Sequence, residues 1–117
     1  MDNNLKNNSK ENAFPIIISN SYIKKYYLDN RLSVLPSEIK NTIKKLFVEL
    51  TETVGGIAII YYDIDENDLV FRINKEDDDY NFDEIEANYK LSRIEKENEQ
   101  LFREINSFCK FKFNGLI

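Results

Sequence analysis

Six consecutive residues, Ile57 to Tyr62 (IAIIYY), are apolar at every position. As a strand, Ile57, Ile59 and Tyr61 face one way and Ala58, Ile60 and Tyr62 the other. Such a strand belongs to a sheet with two faces to cover, because alternation with a polar face is missing. Gly55 and Gly56, two of the chain's three glycines, stand directly before it. Upstream of them, Pro36 and Ser37 open a helix whose Ile39, Ile43, Leu46, Phe47 and Leu50 are spaced 4, 3, 1 and 3, one apolar stripe. Lys40, Lys44 and Lys45 lie off that stripe. The order helix, Gly-Gly, strand argues against a phosphate loop. Phosphate loops run strand, Gly-rich turn, helix, so that the helix N-terminus faces the anion. Here the helix presents its carbonyl end, with negative partial charge. The expected role of Gly55 is a left-handed cap that ends the helix.

Beyond IAIIYY, Asp63 to Asp68 form a polar turn and LVFRI a second strand, a β-hairpin with a loop of about five residues. In that strand Leu69, Phe71 and Ile73 share one face and Val70 and Arg72 the other. This reading puts Val70 with Ala58, Ile60 and Tyr62 on a second face that is not simply polar. A helix, the N-terminal strand region or another protein should cover it, and a residual apolar patch would mark a binding surface.

The remaining elements follow from shorter signals. Phe14–Ser19, with three consecutive isoleucines, reads as a strand, Pro15 favouring its start or a sheet edge. In NSYIKKYYLDN, Asn20 or Ser21 is placed to cap a short helix carrying Tyr22, Ile23, Tyr26 and Tyr27. A long helix is expected from about Phe82 to Ser107. The closing FCKFKF alternates, with Cys109, Phe111 and Phe113 inward and Lys110 and Lys112 outward, and reads as a last strand. The fold class is therefore α+β. A single small domain over 13–117 holds a mainly antiparallel sheet of about four strands and two or three helices, in the order β-α-α-β-β-α-β. The sheet is expected to take Phe14–Ser19, Ile57–Asp63, Leu69–Asn74 and Cys109–Phe113. Residues 1–12, rich in Asn and Lys, are expected to be a mobile tail.

The chain of 117 residues is long enough to bury a core without staples. It has no His and one Cys, so Cys/His metal clusters, internal disulfides and His-based triads are excluded. No catalytic residue, cofactor or metal site is expected. Cys109 has no base to activate it and lies on an inward face. The DIDEND stretch matches positions 1, 3 and 5 of a calcium loop, yet holds Asp68 where Gly is needed and Asn74 where the bidentate Glu belongs. A solvated hairpin turn is the simpler reading. With no apolar run long enough to span a bilayer and no leader-like N-terminus, a cytoplasmic protein without membrane contact is expected.

Net charge is −5 but segregated. Residues 51–86 carry twelve acidic and two basic side chains, while 21–50 carry six basic and three acidic. Direct nucleic-acid binding would need a concentrated basic patch, so it is not expected. Glu76, Asp77, Asp78, Asp79, Asp83, Glu84 and Glu86 form the densest carboxylate cluster. They either complement the dipole of the following helix, stay solvated, or meet a basic partner; a divalent metal is the weakest alternative. Within the long helix, Ala87, Leu91, Ile94, Asn98, Leu101, Ile105 and Phe108 are spaced 4, 3, 4, 3, 4, 3, a heptad seam with polar Asn98 at an a position. The seam packs either on the domain's own sheet or on a second copy, with Leu91, Ile94, Asn98, Leu101 and Ile105 as the candidate homodimer interface.

The segments SYIKKYYLDNRLSVLPSEIK, ETVGGIAIIYYD and NFDEIEANYKLSRI, with FCKFKF, resemble a family of short uncharacterised bacterial proteins of clostridia-like anaerobes, domain of unknown function 6145. The resemblance spans roughly residues 20–115, with KKYYL, the Leu-Pro before the helix, TVGG and the DEI helix start its most specific points. The Asn-rich N-terminus and extra acidic linker residues depart from it. It implies a compact α+β domain and carries over no activity or site residue. The expected function is a non-enzymatic binding or adaptor module that meets a protein partner through the acidic block 51–86, the helix 82–107, or both. The alternative is an acidic inhibitor that mimics nucleic acid and blocks a basic groove of a nucleic-acid-processing enzyme.

Overall fold

A computed structural model describes residues 12–115. Strand β1 (Ala13–Asn20) turns into β2 (Lys25–Leu28), a 3-10 turn (Asn30–Val34) leads to helix α1 (Ser37–Val54), and β3 (Ile57–Asp63) pairs with β4 (Asp68–Asn74). Helices α2 (Glu84–Glu97) and α3 (Glu99–Asn114) close the chain. The sheet is antiparallel throughout, in the order β2-β1-β3-β4. The α+β class, the four-stranded sheet and the three helices agree with the sequence reading. The expected tail lies outside the described residues except for Asn12, which hydrogen-bonds the β3–β4 turn through its carbonyl and its side chain.

Two elements differ from expectation. The segment after Asn20 is not a helix. Asn20 does cap, but its Oδ1 accepts from the Tyr22 amide at 2.9 Å and closes a hairpin turn. Lys24 takes the left-handed conformation at φ 55°, and the chain returns as β2. Alternation then sends Tyr26 and Leu28 towards the helices and Tyr27 outward, an arrangement that suits tyrosine-rich sequence on a pleated surface. The last segment is not a strand. Phe102, Ile105, Cys109 and Phe113 are spaced 3, 4 and 4 and form the inner stripe of α3, while Phe111 stands exposed. Gly115, in the left-handed region, ends that helix. The fourth strand is thus Lys25–Leu28 in place of Cys109–Phe113.

The expected long helix is interrupted at Asn98, whose backbone leaves the helical region and whose Nδ2 donates to the Ile94 carbonyl at 2.9 Å. That bond satisfies a carbonyl near the end of α2 that the break frees.

The face partition also needs one correction. Asp63 pairs with Asp68, so the loop has four residues rather than about five, and Tyr62, Ile60 and Ala58 face Leu69, Phe71 and Ile73 across the hairpin. One residue of loop length exchanges the two faces of a strand. Val70 therefore joins Ile59 and Tyr61. The core lies between the inner face and the three helices, where Ile17, Ile60 and Tyr62 meet Ile43 and Phe47 of α1, Leu91 of α2 and Ile105 and Cys109 of α3. A bulge between Pro15 and Ile17 turns both Ile16 and Ile17 into this core. On the outer face Ile18, Ile59, Tyr61 and Val70 are only half-buried, and no described element covers them.

Gly55 ends α1, its amide donating to the Thr51 carbonyl at 2.8 Å. Its conformation, φ 80° and ψ −169°, is extended on the positive-φ side rather than the expected left-handed cap. Gly56, also at positive φ, lies where a Cβ would come 2.6 Å from the Phe82 ring and 2.7 Å from the Asn74 carbonyl oxygen. The pair is a joint that lets the start of β3 pass under Phe82.

Candidate functional site

The acidic cluster divides by what its members hold. Asp83 caps α2, its carboxylate accepting from the Glu86 amide at 3.0 Å, and Glu84 and Glu86 lie in the first turn, where carboxylates complement the helix dipole. Glu86 also pairs with Lys90 at 3.6 Å. Asp79 accepts from the Tyr22 hydroxyl, and that hydroxyl accepts from the Glu76 amide at 3.2 Å. The acidic linker is therefore seated on the β1–β2 turn. Burial and the Asp79 carboxylate raise the Tyr22 pKa, so the phenol stays a donor at neutral pH. Glu76, Asp77 and Asp78 face solvent and make no ion pair among the described residues.

Three large apolar side chains stand in the same region. Tyr80 is 89% exposed, Ile85 85% and Tyr89 58%. Ile85 and Tyr89 are four apart on α2 and so adjacent on its outer face. With Asp83, Glu86 and Lys90 they line a shallow depression. Sequence periodicity pointed away from them, since they lie off the heptad seam.

The candidate helix interface is placed differently. Leu91 and Ile105 are buried in the domain's own core, Ile94 and Leu101 pack against it, and Asn98 forms the α2–α3 joint. Among the described residues no three His, Cys, Asp or Glu side chains are grouped to hold a metal ion.

A second concave site was not legible in the sequence. Between α1 and the β1–β2 hairpin lies a cleft of about 620 Å³. Its floor includes a hydroxyl pair, Ser19 Oγ and Thr51 Oγ1 at 2.9 Å, both nearly inaccessible. Lys24, Lys25, Lys44 and Tyr26 line it. The Tyr26 hydroxyl is buried there without a hydrogen-bond partner, and burial pushes its pKa up to about 12. Lys44 lies over the Tyr26 ring, 5.8 Å from its centre. These residues come from two segments that only the hairpin, missed as a helix, brings to α1.

Among the described residues no helix is long and apolar enough to cross a membrane. No curated protein and no solved structure matches the chain. A family model described as "Family of unknown function (DUF6145)" matches residues 14–115, nearly the whole described domain. The chain, in agreement with the resemblance carried by its KKYYL, TVGG and DEI segments, belongs to that family of unknown function.

Proposed function

We propose that this chain is a non-enzymatic protein-binding module whose contact surface is the acidic linker together with the outer face of α2. The observation that carries this reading is the Ile85–Tyr89 pair, exposed side by side among carboxylates. Isolated surface apolar residues are ordinary, but Ile85 and Tyr89 line one depression together, a surface of the kind found at interfaces, where Tyr is enriched. The matching partner has an apolar surface rimmed by Lys and Arg, because Glu76, Asp77 and Asp78 make no ion pair among the described residues. These apolar residues favour a protein partner over the nucleic-acid mimic, which needs carboxylates alone. Self-association is the other use of this patch. Leu91 and Ile105 are occupied by the core, so a homodimer through α2 would be built on Ile85 and Tyr89. The buried lone thiol of Cys109 suits a reducing bacterial cytoplasm.

The test is affinity capture with three baits: the native chain, an Ile85→Ser/Tyr89→Ser variant, and a variant with Asp77, Asp78 and Asp79 changed to Lys. The native bait is expected to retain a protein that rising salt elutes, and both variants to lose it. Retention unaffected by both sets of changes would dispose of the reading. Light scattering on the eluting native chain reports the homodimer directly.

A further inference from the structure

The three helices pack on the inner face of the sheet, and no described element covers the outer one. Strand alternation and the ladder registers place Pro15, Ile18, Ile57, Ile59, Tyr61 and Val70 on that outer face, all half-buried. An antiparallel sheet that meets water on one side normally shows polar residues there. Here the two central strands, β1 and β3, are apolar at the middle of both faces, the pattern of a sheet that is covered twice. Residues 1–11 supply only Met1 and Leu5 as apolar side chains, too few to cover six.

The registers also align the outer residues in rows. One row reads Tyr27, Ile18, Ile59, Arg72 across β2, β1, β3 and β4. That row is complementary to its own reverse. A two-fold axis along the strands, between β1 and β3, sets Ile18 against Ile59 of a second copy and Tyr27 against Arg72. Tyr27 is 46% exposed, and Arg72 is exposed and makes no ion pair among the described residues. An aromatic ring and a guanidinium thus stand at the two ends of the row, the components of a cation–π contact. In the neighbouring rows Lys25 falls opposite Asn74 and Tyr61 opposite Pro15, while Asn20, whose side chain already accepts from the Tyr22 amide, falls opposite Ile57. No charge directly meets one of like sign. The other two-fold in the plane, across the strands, would lay the acidic β3–β4 turn, Asp63 to Asp68, over the isoleucines. Strands about 4.8 Å apart and seven residues of about 3.3 Å make a face of roughly 19 by 23 Å, about 450 Å² flat and more along the side-chain contours. Stable interfaces bury about 600 Å² or more per partner, so the area is of the right order. Two four-stranded sheets face to face make a core of the size that holds a β-sandwich domain of about 100 residues together.

We propose that two copies of this chain pack the outer faces of their sheets together about this two-fold axis, Ile18 of each against the partner's Ile59 and Arg72 of each over the partner's Tyr27. The strands of the two sheets lie within about 30° of each other, as in an aligned sandwich. The helices are on the far side of each sheet, so Ile85 and Tyr89 stay available to a different protein. The dimer is independent of the acidic surface.

Sedimentation equilibrium on the full chain at rising concentration reads the dimer as twice the 13.9 kDa monomer. Ile18→Thr/Ile59→Thr keeps β-branched side chains in both strands and is expected to weaken the dimer about a hundredfold, since each change acts twice in a two-fold interface. Tyr27→Arg, at an exposed position outside the core, is expected to weaken it about tenfold by setting arginine against arginine. Tyr27→Arg/Arg72→Tyr exchanges the two ends of the row and is expected to restore the native affinity, which a general change of the surface would not do. Ile85→Ser/Tyr89→Ser is expected to leave the dimer intact, which separates it from self-association through α2. A chain that is monomeric at every concentration would overturn the proposal and leave the face to a different protein. So would a dimer unchanged in the first two variants, one that the exchange does not restore, or one abolished by Ile85→Ser/Tyr89→Ser.

Discussion

The ring of Phe82 occupies the space into which a Cβ on Gly56 would project, at 2.6 Å, while the Asn74 carbonyl closes the other side at 2.7 Å. Gly56 is thus fixed twice, by its φ of 81° and by close approach. Gly55 is fixed once: its Cβ would meet Phe82 at an ordinary 3.9 Å, and only its backbone conformation is costly. Gly55→Ala is expected to lose about 1–3 kcal/mol from backbone strain alone. Gly56→Ala adds an overlap with backbone that cannot rotate away, and is expected to lose about 3 kcal/mol or more. Urea denaturation of the two variants checks the order. Equal losses would show that Phe82 does not hold β3 in place.

Asp29 and Arg31 form the one ion pair among the described residues with a buried member. Arg31 donates to both Asp29 oxygens at 2.9 Å through its side chain, and its amide donates to Oδ1 at 2.9 Å. The guanidinium also lies 4.4 Å from the Phe113 ring centre and 5.0 Å from that of Phe14. The Arg31 side chain holds the Asp29 pKa below its ordinary value of 3.8. A depressed carboxylate pKa stabilises the fold above the unfolded value and loses that contribution as pH falls through the folded one. Asp29→Asn is therefore expected to cost about 1–2 kcal/mol at pH 7. The gap to the native chain should narrow once pH drops below 3.8. Denaturation curves at neutral and acid pH test this, and a gap independent of pH would assign the loss to packing.

Cys109 is fully buried on α3, and burial pushes its thiol up to about 12. The thiolate is the reactive form. A chromogenic disulfide reagent at pH 8 is expected to leave the folded protein unmodified and to react stoichiometrically in urea. Rapid labelling without denaturant would mean that α3 opens readily from the sheet.

The legible parts of the sequence were those with long periodic runs. The stripe from Ile39 to Leu50 extends over three turns, and IAIIYY has no helical alternative with Gly55 and Gly56 at its start. FCKFKF is too short to distinguish period 2 from period 3.6; read together with Phe102 and Ile105, the same Cys109 and Phe113 continue a helical stripe that Gly115 terminates. NSYIKKYYLDN failed for a different reason. An Asn that caps a turn and one that caps a helix look alike in sequence, and pairing with β1 decided between them. The faces of β4 hinged on one residue of loop length. For the candidate sites, composition alone located the carboxylates. The exposure of Ile85 and Tyr89 needed the helix register against the core, and the lysine cleft needed the hairpin.

The acidic linker and the outer face of α2 are proposed to meet a protein directly. The most direct measurement replaces Tyr89 with a photo-crosslinking phenylalanine analogue in the native cell, with Val34, exposed on the 3-10 turn, as the comparison position. One protein adduct is expected at position 89, lost when Asp77, Asp78 and Asp79 are changed to Lys, and none at 34. No adduct at position 89, or the same adducts at both positions, would contradict it.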